Sequence, residues 1–141
     1  MTRREWKFMD KKKLEQLILQ LESFLECWKQ FNHYVSLARS KKFEQEDESQ
    51  FLEVKSVITQ ELEMIMASIE AGAPPKDEIH GLIGNAPSIR FVSELSDGSL
   101  RALENQWHKV YIAWQSILGQ LKVQQKLMQG KSGWSKYFGK K

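Results

Sequence analysis

Apolar residues recur every three or four positions along three long stretches of this chain. The longest row has one polar member, Gln124, and consists of Leu100, Leu103, Trp107, Val110, Trp114, Ile117, Leu121, Gln124 and Met128. This spacing predicts a single α-helix with one apolar stripe, and Tyr111, Leu118 and Leu127 are expected to widen that stripe. Because two tryptophans on one stripe need deep packing partners, we expect this helix to lie at the centre of a bundle.

A second row predicts a long helix near the beginning of the chain. Thr2 and Glu5 have the spacing of a capping box, so the helix can begin at Arg3 and run to about Arg39. Its apolar row is Leu14, Leu17, Leu21, Phe24, Trp28, Phe31, Val35 and Ala38, with Ile18 and Leu25 beside it.

A third row predicts a helix from about Gln50 to Ala71. The row is Phe51, Val54, Ile58, Leu62, Ile65 and Ile69. Residues 40–49 are polar and are expected to form a turn, with Asp47 or Ser49 as the N-cap of the helix and Gly72 as its C-cap.

The segment 73–97 is a long connection that begins with two prolines, which forbid a helix there. We expect one or two short helices in it, the second burying Ile89, Phe91 and Val92, and we expect them to close one end of the bundle. The predicted fold is therefore all-α, an up-down-up bundle of three long helices. In that arrangement the end of the third helix emerges beside the turn Arg39–Lys42.

Charge is distributed unevenly along the chain. Residues 1–42 hold ten Lys or Arg against five Asp or Glu, residues 43–80 hold two against ten, and residues 81–141 hold nine against three. The simplest interpretation is an acidic middle helix that packs between two basic helices and pairs with them. The alternative is that the basic helices carry an anion-binding surface.

Length and composition indicate one helical domain, residues 1–129, followed by a basic, aromatic tail, residues 130–141. No apolar run approaches the roughly 20 residues that a membrane span needs, so we expect no integral membrane segment. A single cysteine, Cys27, favours a reducing compartment, and we predict a cytoplasmic protein with a packed thiol.

The tail is the feature most suggestive of function. Trp134, Tyr137 and Phe138 stand at i, i+3 and i+4 among four lysines, Lys131, Lys136, Lys140 and Lys141. Aromatic residues interleaved with lysines suit a protein groove, an anionic membrane surface or a nucleic-acid backbone. A sticky, weakly ordered terminus is the alternative without function. We favour a protein partner because three aromatic side chains can supply an anchor. The predicted partner-binding residues are Trp134, Lys136, Tyr137, Phe138, Lys140 and Lys141.

Two ionisable pairs on the third helix are candidates for chemistry. Glu104 and His108 stand at i, i+4 and could share a metal ion, but no second such pair supports them, and we favour a salt-bridged surface histidine. Arg101 and His108 stand seven residues apart on one face. That spacing is similar to the Arg-x4–6-His motif of the small all-helical ribonucleases of the higher-eukaryote-and-prokaryote nucleotide-binding class. The resemblance implies that Arg101 steadies a phosphate and that His108 serves in acid–base cleavage.

The sequence therefore predicts a non-catalytic adaptor, chaperone or accessory subunit that acts through protein contacts and its C-terminal tail. One alternative is a nucleic-acid-associated accessory subunit that uses the basic outer helices. The other is a small ribonuclease that uses Arg101 and His108. No cofactor or metal ion is predicted, and self-association is left open.

Overall fold

The computed structural model describes residues 10–69 and 72–138, with side chains described as far as residue 129. Within these residues the chain forms five helices and no β-strand. The helices are α1 (Lys11–Ser40), α2 (Gln45–Ser68), α3 (Lys76–Gly84), α4 (Ile89–Ser93) and α5 (Asp97–Phe138). The prediction of an all-α fold with three long helices is confirmed.

The first helix begins later than its sequence suggests. The backbone of Asp10 is extended, and its carboxylate accepts a hydrogen bond from the amide of Lys13 at 2.7 Å, as an N-cap does. The predicted start at Arg3 lies outside the described residues. Because the backbone of Asp10 is not helical, the prediction of one unbroken helix from Arg3 to Arg39 is wrong.

The second helix begins earlier than predicted, so the turn before it is short. Glu44 is the N-cap, and the carboxylate of Asp47 reaches back to accept from the amide of Glu44 at 2.8 Å. Asp47 therefore caps the helix from inside its first turn. The helix ends at Ser68, and Gly72, three residues past the C-cap Ile69, adopts a left-handed φ of 87°.

The three predicted apolar rows form the core. Every member of the rows that begin at Leu14 and Phe51 is buried, and so are six members of the row that begins at Leu100: Leu100, Leu103, Val110, Trp114, Ile117 and Leu121. Trp107 and Met128 pack at the edge of this core. Two predictions fail, because Leu127 and Phe91 are exposed.

The helix at the centre of the fold is α1, and the prediction that α5 holds this place is wrong. α1 packs against α5, α2 and α4, whereas α5 packs against α1 and α3. The physical reason is the width of the apolar surface. Ile18, Leu25 and Tyr34 add to the main row of α1, so its buried surface faces several neighbours at once. Trp107 is only partly buried, and α5 buries a narrower stripe.

α5 runs in the opposite direction to α1. Arg39 at the end of α1 pairs with Glu104 near the start of α5 at 2.6 Å, whereas Glu22 pairs with Lys122 at 3.2 Å. Residues later in α5 therefore contact residues earlier in α1, as in an antiparallel pair of helices. The up-down-up prediction required these helices to be parallel and is wrong. Arg39–Lys42 consequently lies beside the start of α5, not beside the tail.

α2 also runs in the opposite direction to α1. The Tyr34 hydroxyl donates to the side-chain oxygen of Gln50 at 2.9 Å, and the Gln20 amide donates to the Glu61 carboxylate at 3.1 Å. α2 thus ends near the beginning of α1, and the chain must cross the full length of the fold to reach α5.

The connection makes this crossing alongside the long helices. Lys76 pairs with Glu63 at 2.8 Å, and further along the amide of Ile89 donates to Glu48 at 2.6 Å. The contacts therefore move from the end of α2 towards its beginning. α3 packs on α5, and α4 packs on α1 and α2. The expectation that these short helices close one end of the bundle is wrong, because they fill a side of it.

Candidate protein-binding surface

α5 carries a row of exposed apolar side chains on the side that faces away from α1. Ile112, Val123 and Leu127 are 48%, 58% and 61% exposed. Val123 follows Ile112 by eleven residues, about three helical turns, so the two share one side of the helix, and Leu127 follows one turn later. We define the outer face of α5 by its exposed residues Arg101, His108, Ile112, Gln115, Gly119, Val123, Lys126 and Leu127.

The outer face of α5 is cationic. No Asp or Glu follows Glu104 in the sequence, whereas seven lysines do. Lys109 and Lys122 reach carboxylates of neighbouring helices, Glu78 at 3.3 Å and Glu22 at 3.2 Å. Within the described part of the chain Lys126 forms no ion pair, so its charge faces solvent beside Val123 and Leu127. A cationic helix with an exposed apolar row is typical of a contact surface for an acidic partner.

Two tryptophans fix the rotation of α5 about its own axis. The indole N–H of Trp107 donates to the backbone oxygen of Trp28 at 2.8 Å, and its ring stacks on Tyr111 with centroids 4.7 Å apart. Trp114, two positions further along the apolar row, is fully buried against Phe24 in an edge-to-face contact at 5.1 Å. These two anchors hold α5 in one rotation about its axis, so Ile112 and Val123 are directed outward.

The candidate ribonuclease pair lies on an open helix surface. Arg101 is exposed and pairs with Asp97, one turn earlier, at 2.9 Å. His108 is exposed and packs beside the ring of Trp107, with centroids 6.4 Å apart. The two residues share one side of α5, as predicted, and neither of them lines the groove formed by Phe91, Leu95, Leu103 and Gln106. The pairing of Arg101 with Asp97 holds its guanidinium one turn away from the side of His108.

In the candidate metal pair Glu104 and His108, the carboxylate of Glu104 is bound by Arg39 of α1. Both oxygens of Glu104 accept from the guanidinium of Arg39, at 2.6 and 3.0 Å. Its side chain is thereby turned towards α1, and hydrogen bonding to Glu104 raises the pKa of Arg39. In the part of the chain that the structure describes, no three His, Cys, Asp or Glu side chains gather as metal ligands would.

Cys27 packs at the edge of the core. Burial raises the pKa of its thiol, and the carboxylates of Glu61 and Glu26 raise it further. The thiolate is the reactive form, so this cysteine is protected from reaction at neutral pH. This agrees with the prediction of a packed thiol.

The acidic charge of α2 does not pair with the basic helices on either side of it. Only Glu63 among the α2 carboxylates forms an ion pair within residues 10–69 and 72–138, and its partner Lys76 belongs to α3. The simplest charge interpretation, in which the middle helix pairs with both outer ones, is therefore wrong. It failed because α2 lies beside α1, not between α1 and α5.

Open grooves lie between helices at two places in the described part of the chain. One, of about 320 Å³, lies where the exposed Phe91 and Leu95 meet Leu103 and Gln106, and no ionisable side chain lines it. The other lies between the start of α1 and the end of α5, where Glu15 and Leu19 face Lys122 and Gln125. Sequence reasoning missed both, because each joins residues of different helices that are far apart in the sequence.

The predicted tail is continuous in backbone with α5. The helix passes Gly130 and Gly133 and ends at Phe138. The predicted contacts at Trp134, Lys136, Tyr137 and Phe138 fall where only the backbone is described, and Lys140 and Lys141 fall outside the described residues.

None of the described helices carries an apolar stretch long enough to cross a bilayer. The chain matches no protein-family model, no curated protein and no solved structure. The geometry of α5 is therefore the basis for assigning a function.

Proposed function

We propose that this chain is a non-catalytic helical interaction module, an adaptor or accessory subunit, that binds a protein partner through the outer face of α5 and the tail that continues it. The proposal rests chiefly on one observation, the exposed row Ile112, Val123 and Leu127 on a helix that has no acidic residue after Glu104. Exposed apolar residues that lie scattered need no explanation, but a row along one helix is typical of a docking surface.

The tail extends this row in sequence. Arg101, Ile112, Val123 and Trp134 stand at successive intervals of eleven residues, and the backbone is helical over the whole interval. Intervals of about three helical turns keep these positions on one side of the helix. Position 134 therefore shares the side of α5 that holds Ile112 and Val123. The other predicted partner-binding residues, Lys136, Tyr137, Phe138, Lys140 and Lys141, follow it in the sequence.

The tail also reaches past the start of α1. Gln125 lies beside Glu15, four residues after the start of α1, whereas thirteen helical residues follow Gln125. The difference of nine residues corresponds to about 13 Å of helix. We propose this part of α5, which extends past the start of α1, as the place where binding is strongest.

The directions of successive helices in the bundle are part of the proposal. We infer an up-down-up-down arrangement in which α3 and α4 together form the third element, broken near Pro87. Such a bundle leaves the outer faces of α2 and α5 on opposite corners. The single cysteine, Cys27, is free and supports a cytoplasmic location, which we retain as part of the proposal.

Affinity capture tests the proposed function. Val123→Glu with Leu127→Glu adds two negative charges to the outer face of α5, and Gln30→Glu with Ser36→Glu adds the same charge to the exposed side of α1. We expect the first pair to lose the proteins that the wild-type chain captures, and the second pair to retain them. Deletion of 130–141 should also lose them. Circular dichroism and melting temperature must stay unchanged in both double variants for the comparison to count.

Retention of the same captured proteins by the outer-face variant would contradict the proposal. A nuclease-treated sample separates it from the nucleic-acid alternative, which the exposed Arg101, Lys109 and Lys126 favour. If capture depends on nucleic acid, the purified chain should bind an oligonucleotide with an affinity that falls steeply with salt. In that case the accessory-subunit alternative replaces the protein-binding one.

A further inference from the structure

The charges of α2 and α5 are opposite and are kept apart. α2 carries six Asp or Glu and one lysine, whereas α5 carries two acidic residues, five lysines and one arginine. Each helix packs along α1, and neither packs extensively on the other. The fold therefore separates an acidic helix from a basic one instead of letting them neutralise each other.

α2 also has an exposed apolar surface beside its charges. Leu52 and Met64 are 55% and 59% exposed. We define the outer face of α2 by its exposed residues Glu46, Ser49, Leu52, Glu53, Ser56, Gln60, Glu63 and Met64. Like the outer face of α5, it combines apolar contact area with a single sign of charge.

We propose that the outer face of α2 in one copy of this chain docks on the outer face of α5 in a second copy. The carboxylates of Glu46 and Glu53 then approach Lys126 and the basic residues near it, while Leu52 meets Val123 and Met64 meets Ile112. The two apolar pairs match in spacing, since twelve residues on α2 span about 18 Å and eleven residues on α5 span about 17 Å. This inference rests on the proposed function in taking the outer face of α5 as a docking surface, and it names the partner as the chain itself.

The two faces differ, so the contact joins unlike surfaces. Contacts of this kind build open chains or rings, not closed two-fold dimers. Because α2 and α5 lie on opposite corners of the proposed bundle, one partner cannot cover both faces at once. We therefore expect assembly to grow with concentration past the dimer.

Salt gives the first test. Raising the ionic strength from about 0.01 M to about 1 M shortens the screening length from about 30 Å to about 3 Å. In sedimentation velocity the wild-type chain should shift to larger species with rising concentration at low salt and return to the monomer at high salt. A monomer at every concentration in low salt overturns the proposal.

Charge exchange gives the decisive test. Glu46→Lys with Glu53→Lys leaves Glu63 as the one carboxylate on the outer face of α2 and makes both outer faces basic, and Gln115→Glu with Lys126→Glu reverses the charge on the outer face of α5. Each double variant alone should sediment as a monomer at low salt, and an equal mixture of the two should recover the large species. Glu26→Lys with Lys29→Glu exchanges an ion pair on the exposed side of α1 and should assemble like the wild type.

The outcomes separate this inference from the proposed function. If the mixture stays monomeric, the second copy is not the partner, and the inference is wrong. If Val123→Glu with Leu127→Glu still loses a captured protein in that case, the proposed function stands with a different acidic partner. Binding to anionic vesicles and to oligonucleotides is then compared between the wild type and Gln115→Glu with Lys126→Glu. If this double variant loses that binding but assembles like the wild type, the outer face of α5 serves a lipid or a nucleic acid, and the second copy as the partner is overturned as well.

Discussion

The indole N–H of Trp107 donates to the backbone oxygen of Trp28 across the interface of α1 and α5, at 2.8 Å. This bond joins the middle of one long helix to the first half of the other. It also fixes the rotation of α5, because the ring of Trp107 is held at the edge of the core while Trp114 lies inside it. The outward direction of Ile112 and Val123 follows from that rotation.

Replacing Trp107 with phenylalanine removes this bond while keeping an aromatic ring at the edge of the core. We expect the free energy of unfolding to fall by about 1 kcal/mol, with part of that loss due to the smaller ring. Urea unfolding followed by circular dichroism measures the change. An unchanged midpoint would show that the bond contributes nothing to the packing of α5 on α1.

Trp114→Ala should be far more damaging. The side chain has no exposed surface and packs edge-to-face on Phe24, so its removal leaves a large cavity and should cost about 3–5 kcal/mol. Ile112→Ala, two residues earlier on the exposed side, should cost no more than about 0.5 kcal/mol. Equal losses for the two variants would mean that the buried side of α5 has been assigned wrongly.

Two glycines should respond to alanine with opposite signs. Gly72 adopts a φ of 87°, so Gly72→Ala should destabilise the fold by about 1–2 kcal/mol through backbone strain. Steric overlap does not contribute, because an added Cβ would lie 3.8 Å from the side chain of Ile117, an ordinary van der Waals contact. Gly119 lies inside α5 with open space around it, so Gly119→Ala should stabilise by up to about 1 kcal/mol. Thermal unfolding of both variants checks the pair. A stabilised Gly72→Ala protein would contradict the left-handed turn after α2.

The pKa of Cys27 predicts a pH dependence of reactivity and of stability. Burial raises the pKa of the thiol, so at pH 8 alkylation of the folded chain should be several-fold slower than alkylation in denaturant. The unfolded chain ionises first as the pH rises, so the free energy of unfolding should fall once the pH passes the ordinary pKa of a thiol. Cys27→Ser should lack this part of the fall. Equal alkylation rates in the folded and unfolded chains would show that the thiol is open to solvent.

The apolar rows were predictable because each reports which side of a helix is buried. All members of the apolar rows Leu14 to Ala38 and Phe51 to Ile69 are buried, as their spacing predicts. Leu127 was placed on the wrong side because it was grouped with Tyr111 and Leu118, although it stands about half a turn away from both on a regular helix.

Helix direction was not predictable in the same way. A row of apolar residues does not indicate in which direction its helix runs relative to a neighbouring helix. A connection as long as 69–96 can return the chain to either end of a bundle. The pairs that settle the direction, such as Arg39 with Glu104, are separated by 65 residues and follow no local pattern. The charge segregation was missed for the same reason, since it depends on which helices are neighbours.

Both proposals depend on α5 running against α1, and a pair of spin-label distances tests that claim most directly. In a Cys27→Ala background, labels at Ser36 and Ser99 lie at the same end of the fold, whereas labels at Ser36 and Gln129 lie at opposite ends. Gln125 lies beside Glu15, 21 residues before Ser36, so the second pair should be separated by more than about 30 Å, and the first should be well under that distance. Double electron–electron resonance should give a short distance for Ser36–Ser99 and a long one for Ser36–Gln129. The reverse order would make α1 and α5 parallel and would contradict the account.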